Sequence, residues 1–205
     1  MSRSIPAFGL LAILLAAPAI AQPVAADRQA DLAKVESYLN GITTAEADFT
    51  MASPDGKLSR GKFDLSRPGK LRFEYQDPKG NLLIADGDYI IFWDADQKEA
   101  SNAPISSTPA AFLLKPHISL TEGVKVTHYD HSAGMIRLSL VEEKDPNAGS
   151  VTISFSDQPI ALKAWRVADP QGGTTDVTFD NWRLGGTLDA ALFHFKAPDS
   201  GKRHR

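Results

Sequence analysis

The sequence predicts a mainly β domain with a few helices (α+β), built from about eleven antiparallel strands. Three observations carry this prediction. From Ala45 onward apolar and polar residues alternate with a period of two, which is typical of strands with one buried face. Clusters of Gly, Pro, Asn and Asp interrupt the alternation at short intervals, as turns do. Only two segments have a helical pattern, one before the first strand and one in the middle of the chain.

The first segment predicts an amphipathic helix over residues 28–40. Asp27 is a suitable N-cap, and Gly41 ends the helical pattern. Apolar residues recur at helical spacing at Leu32, Val35, Tyr38 and Leu39. These residues form one apolar face, which must pack against another part of the domain.

Six strands follow the helix. We predict them over residues 45–51, 61–65, 71–75, 82–86, 89–94 and 97–103. The connections between them are short and include Pro54-Asp55-Gly56 and Pro68-Gly69, which favour chain reversal. Because short connections join antiparallel neighbours, the strands form a meander.

The alternation stops between residues 104 and 123. Thr108 followed by Pro109 is typical of the start of a helix, and Lys115-Pro116 of its end. The residues between them include Phe112, Leu113 and Leu114, so we predict a compact apolar helix over residues 110–114.

Five further strands are predicted over residues 124–130, 135–142, 150–155, 161–168 and 174–183. A sheet with one apolar face must bury that face. The pattern allows two outcomes: the sheet closes into a barrel, or it stays open and the two helices cover it.

Residues 1–21 have the composition of a signal peptide. Arg3 precedes an apolar run of about ten residues, and Pro18-Ala19-Ile20-Ala21 ends it with a small-x-small pattern. A membrane span needs about 20 apolar residues, so an N-terminal anchor is the weaker interpretation. We therefore predict cleavage after Ala21 and a single exported domain over residues 22–205.

Composition excludes several classes of function. The chain of 205 residues has 22 Lys and Arg against 25 Asp and Glu, a formal charge of −3, whereas nucleic-acid-binding domains usually carry a basic face. It has no cysteine, which excludes disulfides, thiolate nucleophiles and cysteine zinc sites. We expect no nucleic-acid partner.

No motif predicts catalysis or a cofactor. The sequence lacks a GxSxG elbow, a phosphate-binding glycine loop and an HExxH motif. His128, Asp130 and His131 have metal-ligand side chains, but they straddle a strand end and a turn, where they do not converge as on a helix. We therefore expect no enzyme activity, no cofactor and no metal site.

The alternation places a charged residue, Arg67, on the apolar face of its strand. Phe63, Leu65 and Arg67 share one face of their strand, so the arginine points toward the apolar side at its rim. An unpaired charge there is costly. Two interpretations remain open: the guanidinium binds backbone carbonyls, such as those at a helix C-terminus, or it bends back into water.

Residues 65–75, which read LSRPGKLRFEY, resemble the strand–turn–strand signature of the LolA family of periplasmic outer-membrane lipoprotein carriers. Other segments match in the same order: residues 83–87 before 91–94, Thr108-Pro109 before 112–114, 165–172 before 175–179, and Leu188-Asp189 before Leu192-Phe193. The resemblance covers roughly residues 28–200. The chain departs from the family at Thr50 and Met51, where a glutamine is frequent, and at Leu71, which is often aromatic.

The resemblance implies an open antiparallel half-barrel of about eleven strands with a helical lid over an apolar concave face. It implies a chaperone in the periplasm of a Gram-negative bacterium. The cargo would be acylated lipoproteins, received from an ATP-driven (ABC-type) inner-membrane release complex and passed to an outer-membrane acceptor. We expect a monomer. Arg67 would hold the lid closed. A binding module for another lipid, or an envelope-stress regulator, on the same fold is the alternative.

The resemblance and the alternation together assign side chains to the cavity and to the lid. The expected acyl-chain cavity residues are Phe49, Phe63, Leu65, Leu71, Phe73, Tyr75, Phe92, Leu138 and Leu140. The expected lid residues are Leu32, Val35, Leu39, Phe112, Leu113 and Leu114. The basic tail from Lys202 to Arg205 has no assigned role.

Overall fold

The structure, a computed structural model, describes residues 23–197. It contains one α-helix, α1, at Pro23–Gly41. The strands are β1 Thr44–Ala52, β2 Leu58–Ser66, β3 Lys70–Asp77, β4 Lys79–Asp86, β5 Tyr89–Asp94, β6 Glu99–Pro104, β7 Val124–Ser132, β8 Met135–Glu142, β9 Ser150–Asp157, β10 Ile160–Ala168 and β11 Thr174–Leu184. Short 3₁₀ helices lie at Ile105–Ser107, Pro109–Leu114 and Ala190–Phe193.

All eleven strands form one antiparallel sheet in the order β6-β5-β4-β3-β2-β1-β11-β10-β9-β8-β7. The chain starts in the middle of the sheet, runs out to β6, crosses to β7 at the opposite edge and returns to pair β11 with β1. Over residues 23–197 the edge strands β6 and β7 do not pair with each other. The prediction of an open mainly β fold is confirmed, and closure into a barrel is wrong.

The helix α1 begins earlier than predicted. Its first residue is Pro23, so Asp27 lies inside the helix and is not its N-cap. Proline is common at the first helical position because its φ already suits the helix and its missing N–H would have no partner there. Gly41 is the last residue, as predicted.

The concave face of the sheet buries two apolar clusters. The first, which we call the helix-side cluster, lies between β7–β10, α1 and the central 3₁₀ helix, and includes Val35, Leu113 and Leu138. The second, the aromatic cluster, lies on β1–β4 and β11 and includes Phe49, Phe63 and Phe179. Trp165 and Trp182 pack against both clusters and so join them.

The convex face is covered in part by the segment that contains the last 3₁₀ helix. The 3₁₀ helix Ala190–Phe193 packs against β3 and β4 and leaves Phe193 only 1% exposed. Arg72 Nη1 donates a hydrogen bond of 3.1 Å to the carbonyl of Leu192.

The predicted signal peptide and the basic tail lie outside the described residues. Within residues 23–197, no helix is both long enough and apolar enough to cross a membrane.

Candidate functional site

A small cavity separates the concave face from the helices above it. Its volume is about 60 Å³. Its lining is apolar except for Arg67 and Thr108, and it comprises Leu39, Ile42, Phe63, Leu65, Arg67, Leu71, Ile90, Thr108, Leu113, Leu114, Ile118, Leu162, Trp165 and Trp182. We call α1 and the 3₁₀ helix Pro109–Leu114 together the lid.

The structure places the predicted cavity residues in three environments. Phe63, Leu65 and Leu71 line the cavity. Three further predicted residues, Phe49, Phe73 and Tyr75, are buried in the aromatic cluster, and Phe92 packs against it. Leu138 and Leu140 lie in the helix-side cluster, on the other half of the sheet.

The predicted lid residues all face the sheet. Leu39, Leu113 and Leu114 line the cavity. Val35 and Phe112 are buried in the helix-side cluster, and Leu32 packs against it.

Two tryptophans, Trp165 and Trp182, also line the cavity, although the alternation did not assign them to it. Leu162 faces inward, and simple alternation would turn Trp165 outward, but a β-bulge between Leu162 and Ala164 reverses the pattern. A second bulge on β11 contains Asn181 in the left-handed conformation, at φ 54°, and turns Trp182 inward. The indole of Trp182 donates a 2.9 Å hydrogen bond to the carbonyl of Leu162, which fixes its ring.

Arg67 binds the lid at the rim of the sheet. Its Nη1 donates a 2.5 Å hydrogen bond to the carbonyl of Leu39, in the last turn of α1, and its Nη2 lies 3.4 Å from the carbonyl of Pro116. Burial lowers the pKa of the Arg67 guanidinium. Of the two interpretations of Arg67, the first therefore describes its contacts.

Other hydrogen bonds tie the lid to the sheet and to the segment that follows the central 3₁₀ helix. Asn40 brackets Ile118, donating to its carbonyl at 2.8 Å and accepting from its N–H at 2.9 Å. The carboxylate of Glu36 accepts from the N–H of Leu120 at 2.7 Å. Gly69, in the β2–β3 turn, donates its N–H to the carbonyl of Leu114 at 2.8 Å. Each of these hydrogen bonds therefore involves at least one backbone group.

A polar cluster fastens the other end of α1 to the sheet. Asp31, 8% exposed, accepts a 2.7 Å hydrogen bond from the hydroxyl of Tyr129, and His131 Nδ1 lies 2.7 Å from the same carboxylate. Burial, together with the hydrogen bond to Asp31, raises the pKa of Tyr129 to about 12. Lys34 binds the Asp157 carboxylate and lowers its pKa. The alternation gave no signal for these pairs, because they join residues far apart in the chain.

The histidines near this cluster do not form a metal site among the described residues. Asp130 is instead paired with Arg137 at 2.8 Å and accepts from Ser132. Over residues 23–197, no group of three or more carboxylates and histidines is arranged to hold a metal ion. The cavity and its lid are thus suited to hold an apolar ligand and offer few polar groups for chemistry.

The outcome of the family comparison matches this geometry. Residues 40–196 match the model of the family described as outer membrane lipoprotein carrier protein LolA, a stretch that covers every strand and the central 3₁₀ helix. The chain belongs to the LolA family. The match begins at the last turn of α1, so most of the lid helix lies outside it.

Relatives of this LolA-family chain match over most of their length. An outer-membrane lipoprotein carrier protein of Methylococcus capsulatus is 29% identical over 174 residues, covering 80% of this chain and 83% of the relative. Another of the same name, from Chromobacterium violaceum, is 29% identical over 194 residues, covering 90% and 93%. A third, from Chromohalobacter salexigens, is 27% identical over 190 residues, covering 88% and 90%.

Proposed function

We propose that this LolA-family protein is a periplasmic chaperone that shields the acyl chains of lipoproteins. It receives them from an inner-membrane, ABC-type release complex and delivers them to an outer-membrane acceptor, and it catalyses no reaction. The observation that carries the proposal is the apolar cavity beneath a lid that Arg67 binds through backbone carbonyls. The family and the names of the relatives support the nature of the cargo.

The cavity explains why the lid must move. A volume of about 60 Å³ holds a few water molecules at most, far less than an acyl chain needs. The cargo therefore displaces the lid and takes over its contacts with the concave face. The residues expected to contact acyl chains are those predicted on the aromatic half, led by Phe63, Leu65 and Leu71, with Leu138 and Leu140 in the helix-side cluster.

The energies of this exchange are comparable, which makes it reversible. Burying an acyl chain is worth about 0.8 kcal/mol for each methylene. Exposing a lid side chain such as Leu39, Leu113 or Leu114 costs about 1.5–3 kcal/mol. A chaperone needs this balance, because cargo that binds without displacing anything would not be released.

The hydrogen bonds of Arg67 are suited to hold the lid closed reversibly. Its partners are carbonyls of Leu39 and Pro116, which can bind water when the lid opens. A carboxylate partner at the same depth would hold the guanidinium more tightly and would leave a costly buried charge on opening.

The proposal is tested by purifying the tagged full chain from the periplasm of a Gram-negative host and identifying bound molecules by intact mass spectrometry. We expect acylated lipoproteins with the wild type. We expect more of them with Arg67→Leu, because a lid that closes poorly releases cargo poorly. Arg60→Leu is the matched control, since Arg60 lies on β2, the strand that leads to Arg67, but forms an exposed ion pair with Asp77.

Three outcomes distinguish the hypotheses. Bound lipoprotein in the wild type, enriched by Arg67→Leu alone, supports the chaperone. A bound lipid without any lipoprotein favours the alternative of a carrier for another lipid. Absence of any acylated molecule from both proteins overturns the proposal.

A further inference from the structure

An open groove lies at the opposite end of the aromatic cluster from the lid. It has a volume of about 820 Å³, much larger than the cavity beneath the lid. Three parts of the fold surround it: the β1–β2 turn, the β3–β4 turn and the inner side of β5. Its lining includes Ser53, Leu58, Ser59, Tyr75, Asn81 and Phe92. We call it the distal groove.

A continuous row of aromatic rings joins the two spaces. Phe63 lines the lid cavity, and its ring centroid lies 4.8 Å from that of Phe73. Phe73 is followed by Phe49 at 4.9 Å, and Phe49 by Tyr75 at 5.3 Å. Tyr75 lies 6.2 Å from Phe92, and both of these rings line the distal groove. Only side chains, and no strand, separate the cavity from the groove.

Tyr75 is the member of this row that carries a polar group, and that group is bound weakly. It is 7% exposed, and its hydroxyl donates to the thioether of Met51 at 3.4 Å. Buried tyrosine hydroxyls usually find a stronger acceptor, since a thioether accepts hydrogen bonds weakly. A rotation of Tyr75 into the groove would exchange this weak bond for water or for the polar rim formed by Asp77 and Asn81. The lost bond costs little, so the hydroxyl does not oppose this rotation.

We infer that the distal groove is a second subsite for acyl chains, occupied by the end of a long chain that enters beneath the lid and displaces Tyr75 and Phe92. The inference rests on the proposed function and adds a specificity to it. The aromatic row would distinguish acyl chains by their length. Short chains remain on the lid side of the row, and long chains pass it. The apolar occupant follows from Tyr75 and Phe92, which line the groove and belong to or pack against the aromatic cluster.

Ser59 offers a way to fill the groove without touching the lid. It pairs with Met51 across β1 and β2, so its side chain shares the concave face, and it lines the groove. Ser59→Trp places an indole where the end of the chain would lie. Thr50→Trp is the matched control, because Thr50 is exposed on the neighbouring strand and its side chain points to the convex face.

The experiment is calorimetric titration of the full chain with octanoyl, lauroyl and palmitoyl glycine below their micellar concentrations. For the wild type we expect affinity to rise by about fourfold for each added methylene through the whole series. For Ser59→Trp we expect unchanged affinity for octanoyl glycine and a loss of about tenfold or more for palmitoyl glycine. Thr50→Trp should behave as the wild type.

Each result bears on one proposal or the other. If Ser59→Trp binds palmitoyl glycine as tightly as the wild type does, the chain does not reach the groove and this inference is wrong, while the chaperone proposal stands. If the wild type binds none of the three ligands, the chaperone proposal fails with it. Should Ser59→Trp not fold, Leu58→Trp takes its place, since Leu58 lines the groove and is already 71% exposed.

Discussion

The guanidinium of Arg67 and the carbonyl of Leu39 form a 2.5 Å hydrogen bond between the rim of the sheet and the last turn of α1. The final carbonyls of a helix have no partner within it and carry the negative end of the helix dipole, so a cation is favoured there. The same guanidinium lies 3.4 Å from the carbonyl of Pro116, beyond the central 3₁₀ helix. One side chain therefore contacts both α1 and the segment that follows the central 3₁₀ helix.

Arg67→Leu should loosen the lid without unfolding the sheet. Leucine keeps apolar volume at the cavity but loses the bonds to Leu39 and Pro116. Hydrogen bonds to charged groups are worth about 1.5–3 kcal/mol, so we expect the free energy of unfolding to fall by about that amount or less. Hydrogen exchange should accelerate in residues 36–41 and stay unchanged in β1 and β2.

The control for this variant is Arg60→Leu. Both side chains of the Arg60–Asp77 ion pair are exposed, and such pairs contribute about 0–1 kcal/mol to the free energy of unfolding. Equal protection of the lid amides in the two variants would contradict the role of Arg67 as a lock.

Asn40→Ala should release the segment that follows the central 3₁₀ helix. Asn40 satisfies both the N–H and the carbonyl of Ile118, which is 1% exposed. Leaving these groups unpaired costs about 1–3 kcal/mol, measured as free energy of unfolding in urea. Asn147→Ala, in an exposed turn of β8–β9, should change stability by less than about 0.5 kcal/mol. If the two variants unfold at the same urea concentration, Asn40 does not hold the segment.

Tyr129→Phe should weaken the attachment of α1 to β7. The substitution removes the donor to Asp31, whose residue is 8% exposed. Among residues 23–197, the carboxylate then keeps its contact with His131 alone. We expect a loss of about 1–3 kcal/mol in the free energy of unfolding, with faster hydrogen exchange in the first turns of α1. Tyr89→Phe is the control, because Tyr89 is 49% exposed. A loss of similar size in both variants would argue against the Tyr129–Asp31 bond.

Asp64→Asn should stabilise the protein at neutral pH. Burial raises the pKa of Asp64 above its ordinary value, and the carboxylates of Glu46 and Glu74 add to the rise, against the effect of Arg72. An acid with a raised folded-state pKa binds its proton more tightly in the folded protein. Stability therefore falls as pH rises from the unfolded-state pKa through the folded one.

The amide carries no charge, so the Asp64→Asn variant should lack this loss. Urea unfolding at neutral pH and at a pH below both pKa values checks the prediction: the gain should be present in the first and absent in the second. Asp180→Asn, on the exposed convex side of β11, is the control. A gain for Asp64→Asn that persists in acid would show that charge is not its cause.

The strands were largely predictable from the sequence because each buries one face. The alternation at Ala47, Phe49 and Met51 places three buried side chains correctly, and it does the same at Leu71, Phe73 and Tyr75. The start of α1 was predicted too late, since a helix N-terminus is a weak local signal and Asp27 offered a cap that the fold does not use.

The candidate site was predictable only where alternation holds. The alternation placed Phe63 and Leu65 on the apolar face, and the resemblance assigned them to the cavity. Trp165 and Trp182 line the same cavity because β-bulges reverse the alternation before them. A bulge inserts one residue into the ladder, and nothing in the local pattern of apolar residues marks that insertion. The contacts of Asp31 and of Asn40 were missed because their partners lie far away in the chain.

The sequence by itself determined the period of the strands, the apolar faces of the lid and, through its resemblance, the family. Tertiary structure decided whether the sheet closes, because closure depends on whether β6 and β7 meet after the twist of all the strands between them has accumulated. It also decided what Arg67 binds. The alternation places the guanidinium on the apolar side of the strand. Only the packing of α1 brings the carbonyl of Leu39 within hydrogen-bond distance of it.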